Sequence, residues 1–228
     1  YTVDGDISLA EALDWNTVTA RLAATAPRWP IGSAHGYHAL TYGWLAGELV
    51  RRVDPAHRSL GTFVQQEIVA KVGGELWIGL PESQESRVFN RRDVHAAEIP
   101  AANGITNART LARIYAATIG EVDGVRLLRS DTIDRARIKV TPENEPDVCL
   151  IMPTTFGMGF MVHGMFSLFG GPGSFGHPGA GGSVAFALPE AELSVAYVMN
   201  KMATNLANDV RAQSVANSAV ECAASASR

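Results

Sequence analysis

Lysine is scarce in this 228-residue chain: Lys71, Lys139 and Lys201 are all it has, within 19 Lys+Arg set against 23 Asp+Glu for a formal charge of −4. With a pI near 5.9, that leaves no basic stripe to track a phosphate backbone, so nucleic acid is excluded as a partner. Cysteine is nearly absent too. Cys149 and Cys222 can pair only once, which excludes a disulfide scaffold and a Cys-based zinc site and leaves buried or near-terminal thiols without chemistry. No apolar run reaches the ~18 to 20 residues of a membrane-spanning helix, because the longest, near Ile151 and Phe160, are broken by proline and glycine. Charged residues are only 18% of the chain against 46% hydrophobic, which excludes disorder as the dominant state. The segment Tyr1 to Leu9 lacks the positive start and apolar core of a secretory signal, which tilts compartment toward the cytoplasm. A chain opening on Tyr1 reads as part of something longer.

What is present has an order: helices, then sheet, then a helix. Tyr42, Leu45, Ala46, Leu49, Val50 and Val53 fall at i, i+3, i+4, i+7, i+8 and i+11, one inward face of a helix. Gly43 and Gly47 on that helix cost propensity, so close packing of a neighbour is their reason. Ser59 reads as the cap of a second helix carrying Leu60, Phe63, Val64 and Ile68. Thr106 or Asn107 caps a third, with Leu111, Tyr115 and Ile119 on its core face. From Thr155 onward come short β-branched and aromatic runs, Phe156 to His163, Gly182 to Leu188 and Leu193 to Met199. The last two form a hairpin across Pro189 to Glu192. Met202, Leu206 and Val210, spaced by four, predict a closing helix from Ala203 onward.

Several motifs carry little. Gly171 to Gly176 spells G-x-G-x-x-G, but a strand follows it, and a dinucleotide site needs a helix N-terminus there. His35 and His38 have metal-ligand spacing without a carboxylate or cysteine to complete a set. No G-x-S-x-G elbow exists.

Two segments are more specific. Pro30-Ile-Gly-Ser-Ala-His-Gly-Tyr37-His38-Ala39 sets a tyrosine at the start of an amphipathic helix, where its phenol can project into a cleft. Phe175-Gly176-His177-Pro178-Gly179-Ala180-Gly181-Gly182-Ser183 is a glycine-dense strand mouth. A substrate can lie against its backbone, and an N–H can donate to a developing oxyanion.

At these residues the chain resembles the β-lactamase-like serine hydrolases: class C β-lactamases, penicillin-binding DD-peptidases and family VIII carboxylesterases. Trp77-Ile-Gly-Leu-Pro81, Pro100 to Arg113, Phe156-Gly-Met-Gly159-Phe160 and Pro189 to Lys201 follow in the family's order, so the likeness extends over essentially the whole chain. The resemblance implies an α+β fold, an antiparallel sheet flanked by helices plus a helical subdomain. Residues 1–145 would form the mainly helical part with the tyrosine motif, and 146–228 the strands and C-terminal helix, the N-terminal part of the fold being absent from this chain. It also implies an acyl-enzyme mechanism without cofactor or metal. Tyr37 stands at the family's catalytic tyrosine, His177-Pro178-Gly179 at its K-T-G motif as a substrate or oxyanion-side contact, and the Ala180 N–H at an oxyanion donor.

The departures choose among branches. Ala39 replaces the asparagine of Y-x-N and His177 the lysine of K-T-G, changes that resemble the esterase branch and weaken a β-lactamase or DD-peptidase reading. Ile68, Ala136 and Val198 stand three residues before the three lysines, so S-x-x-K is missing and its serine and lysine are expected upstream. The expected partners are a small ester or amide substrate and a missing N-terminal segment, a second chain or a homodimer covering the sheet edge. A non-catalytic, degenerate homologue acting as a binding protein is the alternative from another class.

Overall fold

The computed structural model describes residues 5–80, 91–143, 145–226. The expectation drawn from Tyr1 and the last residue of the Trp77–Pro81 motif lie outside them. The chain forms two compact units, Tyr1–Lys71 with Glu75–Thr106, and Val72–Gly74 with Asn107–Arg228.

The first unit begins with α1 (Leu9–Ala12) and α2 (Trp15–Ala24). Each is started by a side chain that takes an orphan N–H: Ser8 closes a capping box with Glu11, and Asp14 accepts from the Thr17 N–H at 2.7 Å. Helix α3 (Thr41–Val53) has the expected length but not the expected face. It buries Gly43, Trp44 and Gly47, while Tyr42, Leu49 and Val53 are 53%, 67% and 77% exposed. The reason is close approach. A Cβ on Gly43 would lie 2.6 Å from the Ala101 backbone nitrogen, and one on Gly47 2.6 Å from the Trp15 ring. The small face lets α2 and the 100–101 turn press against the backbone, with Trp44 packing on Val18 and Leu22. The aromatic Tyr42, expected in the core, is therefore outside it.

Buried Asp54 ends α3 by accepting from the Arg58 backbone N–H and from its guanidinium Nε and Nη2 at 2.8–2.9 Å. That bidentate pairing holds the Asp54 carboxyl well below the usual carboxylate range. Ser59 caps α4 (Leu60–Val64) as expected, and the helix continues through a π turn, Gln65–Val69, into α5 (Ala70–Val72). Two short strands, β1 (Leu76–Trp77) and β2 (Ile105–Thr106), pair antiparallel, with α6 (Arg92–Ala96) between them in sequence.

In the second unit Asn107 caps α7 (Ala108–Ile119) through its Oδ1 and the Thr110 N–H at 2.9 Å. After α8 (Ser130–Ala136) come β3 (Met161–Val162), β4 (Phe175–Pro178), β5 (Val184–Leu188) and β6 (Leu193–Tyr197), an antiparallel sheet in sequence order. Phe175 and Ala187, wholly buried, form its core with Ile133 and Val162, and Tyr115, Ile119, Leu128 and Phe160 pack around them. Because α7 and α8 build this core, the compact units meet in sequence at Thr106/Asn107, whereas the sequence motifs suggested a division near 145. The strand expected over Phe156 to His163 is shorter: only Met161 and Val162 join the sheet, and Phe156 forms a bridge back to Met161. The β5–β6 hairpin forms as expected over a 3₁₀ turn, Pro189–Ala191, with Glu192 left-handed at φ 49°.

The closing helix, α9 (Val210–Ala226), starts later than its apolar spacing suggested. Met202 and Leu206 lie in an irregular stretch and are exposed. Asp209 sets the start, accepting the Arg211 N–H on Oδ1 at 2.9 Å. Both cysteines are free and exposed; Cys222 is near-terminal as expected, and Cys149 is neither buried nor near-terminal, which corrects that expectation. Among the described residues no helix is long and apolar enough to cross a membrane.

Candidate active site

Each unit carries one of the two segments singled out in the sequence. In the first unit, residues 34–38 are irregular and helix α3 begins only at Thr41, so Tyr37 precedes the helix instead of opening it. Local bonds hold the segment in that form. The Trp29 indole donates to the Ala34 carbonyl at 3.0 Å, Ser33 Oγ to the Pro30 carbonyl at 2.8 Å, and the His38 ring bonds the Gly36 carbonyl through Nδ1 at 2.7 Å. These satisfy carbonyls that a helix would otherwise use. Tyr37 is half-buried, and His35 Nε2 is buried without a hydrogen-bond partner among the described residues.

In the second unit the mouth is the β4–β5 hairpin. Strand β4 begins at Phe175, inside the Gly171 to Gly176 motif, so no helix N-terminus stands there to receive a dinucleotide. Gly176 faces Phe186 across the ladder, and a Cβ there would strike the Ala185 carbonyl, which explains glycine at that position. Strand β3 pairs with β4 at Phe175 and Gly176, while His177 and Pro178 lie in register with Ala185 and Val184 of β5.

His177 is exposed, and its Nδ1 lies 2.6 Å from the Pro178 carbonyl. A carbonyl only accepts, so Nδ1 carries the proton. The protein around the ring disfavours the imidazolium and lowers the pKa below the usual histidine range. The Pro178 bond opposes this. At neutral pH the ring is therefore uncharged, with Nε2 as an acceptor. The single donor that sequence reasoning assigned to His177 is spent on Pro178.

The loop beyond β4 turns most of its amides inward. Gly179 N–H donates to Ser183 O at 2.7 Å, Gly181 N–H to Asn205 O at 3.0 Å and Gly182 N–H to Gly179 O at 3.1 Å. Ala180, exposed at the apex, has no hydrogen-bond partner for its N–H among the described residues. A Cβ on Gly179 would meet Ser183 Oγ, a hydroxyl that can rotate aside. Gly181 and Gly182 sit at φ 92° and 118°, where L side chains are strained. Sequence reasoning missed Asp209 and Arg211, which brace this loop from behind. Arg211 donates to Gly181 O at 3.2 Å and to Lys201 O at 2.9 Å. An Asn-Asp pair just ahead of a helical pattern was the available signal.

No group of three or more His, Cys, Asp or Glu side chains among the described residues is arranged to hold a metal ion.

A model of the Beta-lactamase family matches residues 1–219. The chain belongs to the Beta-lactamase family. A curated relative, "Esterase/beta-lactamase LipL" of Mycobacterium tuberculosis, is 29% identical over 245 aligned residues, covering 86% of this chain and 55% of that protein. A solved family VIII carboxylesterase superposes with a TM-score of 0.83 at 30% identity, covering 96% of this chain and 66% of the other. A penicillin-binding protein homologue from Caulobacter crescentus gives 0.81 at 36% identity, covering 100% and 67%. EstA from Arthrobacter nitroguajacolicus Rue61a gives 0.87 at 28% identity, covering 99% and 70%. This family member thus has the β-lactamase/transpeptidase-like α+β fold and spans little more than half the length of its curated relative.

Proposed function

We propose that the protein to which this chain belongs is a serine hydrolase that cleaves short acyl esters through an acyl-enzyme, with the nucleophilic serine and its lysine contributed from sequence upstream of Tyr1. The observation that carries the reading is the Ala180 amide. Among the described residues it has no hydrogen-bond partner at an exposed apex while the amides around it are bonded inward, the arrangement an oxyanion donor needs before the substrate arrives. The serine hydroxyl adds to the ester carbonyl as the lysine and Tyr37 take its proton, and the carbonyl oxygen gathers charge against the Ala180 N–H. Collapse breaks the C–O bond, and the leaving alkoxide takes the proton back through Tyr37. Water then repeats the sequence on the acyl-enzyme, returning the serine and releasing the acid.

His177 favours esters over β-lactams. A neutral ring whose Nδ1 proton is held by the Pro178 carbonyl brings no positive charge to a substrate carboxylate, where the lysine of K-T-G would attract it. Ala39 removes a side-chain amide from the same choice. The names of the relatives, esterase, family VIII carboxylesterase and penicillin-binding protein homologue, are compatible with it.

The test is full-length protein assayed with p-nitrophenyl butyrate and with nitrocefin, and labelled with a fluorophosphonate. Ester turnover exceeding nitrocefin turnover, with label upstream of Tyr1, is the expected result. Comparable nitrocefin turnover would make the protein a β-lactamase, and absence of label and of both activities would make it a binding protein. The outer edge of β6, which among the described residues pairs with β5 alone, would in the working protein be covered by an upstream segment or a second copy.

A further inference from the structure

The Ala180 N–H is useful only if it keeps one direction, and nothing on Ala180 itself secures that. Direction comes from the peptide plane. Across a trans peptide the carbonyl of one residue and the N–H of the next point opposite ways, and no cis peptide bond occurs among the described residues. The Gly179 carbonyl is drawn into the turn by the Gly182 N–H at 3.1 Å, so the Ala180 N–H is driven outward. Whatever fixes Gly181 and Gly182 therefore aims Ala180.

That support comes from the start of α9. Asp209, 6% exposed, accepts from Arg211 Nε on Oδ1 and from Nη2 on Oδ2, both at 2.9 Å. The guanidinium so held donates through Nη2 to the Gly181 carbonyl at 3.2 Å, which also accepts from the Ala203 N–H at 2.8 Å. Packing is tight. A Cβ on Gly182 would stand 2.7 Å from both Arg211 Nη2 and Asp209 Oδ2, so ion pair and loop backbone are in direct contact. The pairing also holds the Asp209 carboxyl well below the usual range, keeping it ionised across ordinary pH.

We propose that Arg211, locked by Asp209, is the positioning residue that aims the Ala180 N–H, acting through Gly181 and Gly182. This rests on the esterase reading above. Asp209 also caps α9, so a purely structural role has to be separated from a positioning one. Arg211→Met removes the guanidinium and leaves the cap. Asp209→Asn keeps an Oδ1 acceptor for the Arg211 N–H but discharges the pair. Arg211→Lys keeps one charged donor that can reach a carbonyl.

Amide hydrogen exchange resolved by residue on this chain, together with its melting temperature, is the first readout. Protection at Gly181 and Gly182 falls about tenfold or more in Arg211→Met and Asp209→Asn, beyond any uniform loss that a lowered melting temperature brings to the sheet and α9, and Arg211→Lys recovers part of it. The second readout is ester turnover by the full-length protein, where kcat falls about tenfold in Arg211→Met with KM unchanged, as for an oxyanion donor left in place but loosely aimed. Unaltered protection at Gly181 and Gly182 overturns the proposal, as does protection lost equally throughout the sheet in the Met and Lys variants. If Arg211→Met does not fold, Arg211→Lys and Asp209→Asn decide. Should the unsubstituted protein hydrolyse no ester, the esterase reading falls while the exchange data still decide whether Arg211 positions the loop.

Discussion

The Gly182 N–H donates to the Gly179 carbonyl at 3.1 Å, closing the turn that leaves the intervening Ala180 amide facing outward. Two features make Gly182 hard to replace: φ of 118°, and the Asp209–Arg211 pair 2.7 Å from where a Cβ would stand.

Gly182→Ala is accordingly expected to destabilise the chain by about 1–3 kcal/mol, combining a backbone conformation closed to L side chains with overpacking. Urea denaturation checks it; a variant as stable as the parent would mean the loop relaxes freely.

Gly43→Ala reverses the usual helix rule. Alanine is the better helix former by about 1 kcal/mol, yet its methyl would lie 2.6 Å from the Ala101 backbone nitrogen, which has little room to move. The predicted net effect is a loss of about 1–3 kcal/mol. Gly47→Ala should cost less, because its clashes, 2.6 Å with the tip of the Trp15 ring and 2.9 Å with Leu60 Cδ2, are with side chains rather than backbone. Melting curves rank the two variants.

Those two glycines also show how far the sequence could be read. The helix over Thr41–Val53 was visible in its apolar spacing, but its orientation was not. The apolar residues suggested a face through Tyr42 and Leu49, while backbone approach at Gly43 and Gly47 turned the opposite face inward. Caps were legible where they act locally, as at Ser59 and Asn107. The spacing of Met202, Leu206 and Val210 imitated a helix that starts only at Val210, after Asp209, a polar cap outweighing an apolar rhythm. In the candidate site, Tyr37 and the His177–Ala180 mouth could be picked out as motifs. Arg211, distant in sequence from Gly181, could not, because its role exists only through tertiary contact.

His177 gives a pH dependence of known sign. Its folded pKa is lowered below the ordinary value of 6.5, chiefly by desolvation. Between the two values the unfolded chain binds more protons than the folded one, so stability rises with pH through that window and is lost as pH falls below about 6.5. The carboxylates of Asp54 and Asp209, also lowered, add a separate loss at more acid pH, where they would protonate in the unfolded chain. Melting temperatures at pH 7.5 and 5.5 should converge in His177→Asn, which can still donate to the Pro178 carbonyl but does not titrate. An unchanged difference would show that other groups supply the slope.

Tyr37→Phe removes one oxygen from a half-buried side chain. Full-length protein carrying it should lose about 10²–10⁴ in kcat on p-nitrophenyl butyrate, the range for a lost general acid–base group, with little change in KM. Full turnover in the variant would take Tyr37 out of the mechanism.

The account stands on the Ala180 amide, and one spectrum tests it most directly. In ¹⁵N-labelled full-length protein, reaction with a phosphonate that forms a tetrahedral adduct on the serine should move the Ala180 amide resonance strongly downfield and slow its exchange with water, as its proton meets the anionic oxygen. An adduct that forms while the Ala180 resonance stays in place would contradict the assignment of this hairpin as the oxyanion site.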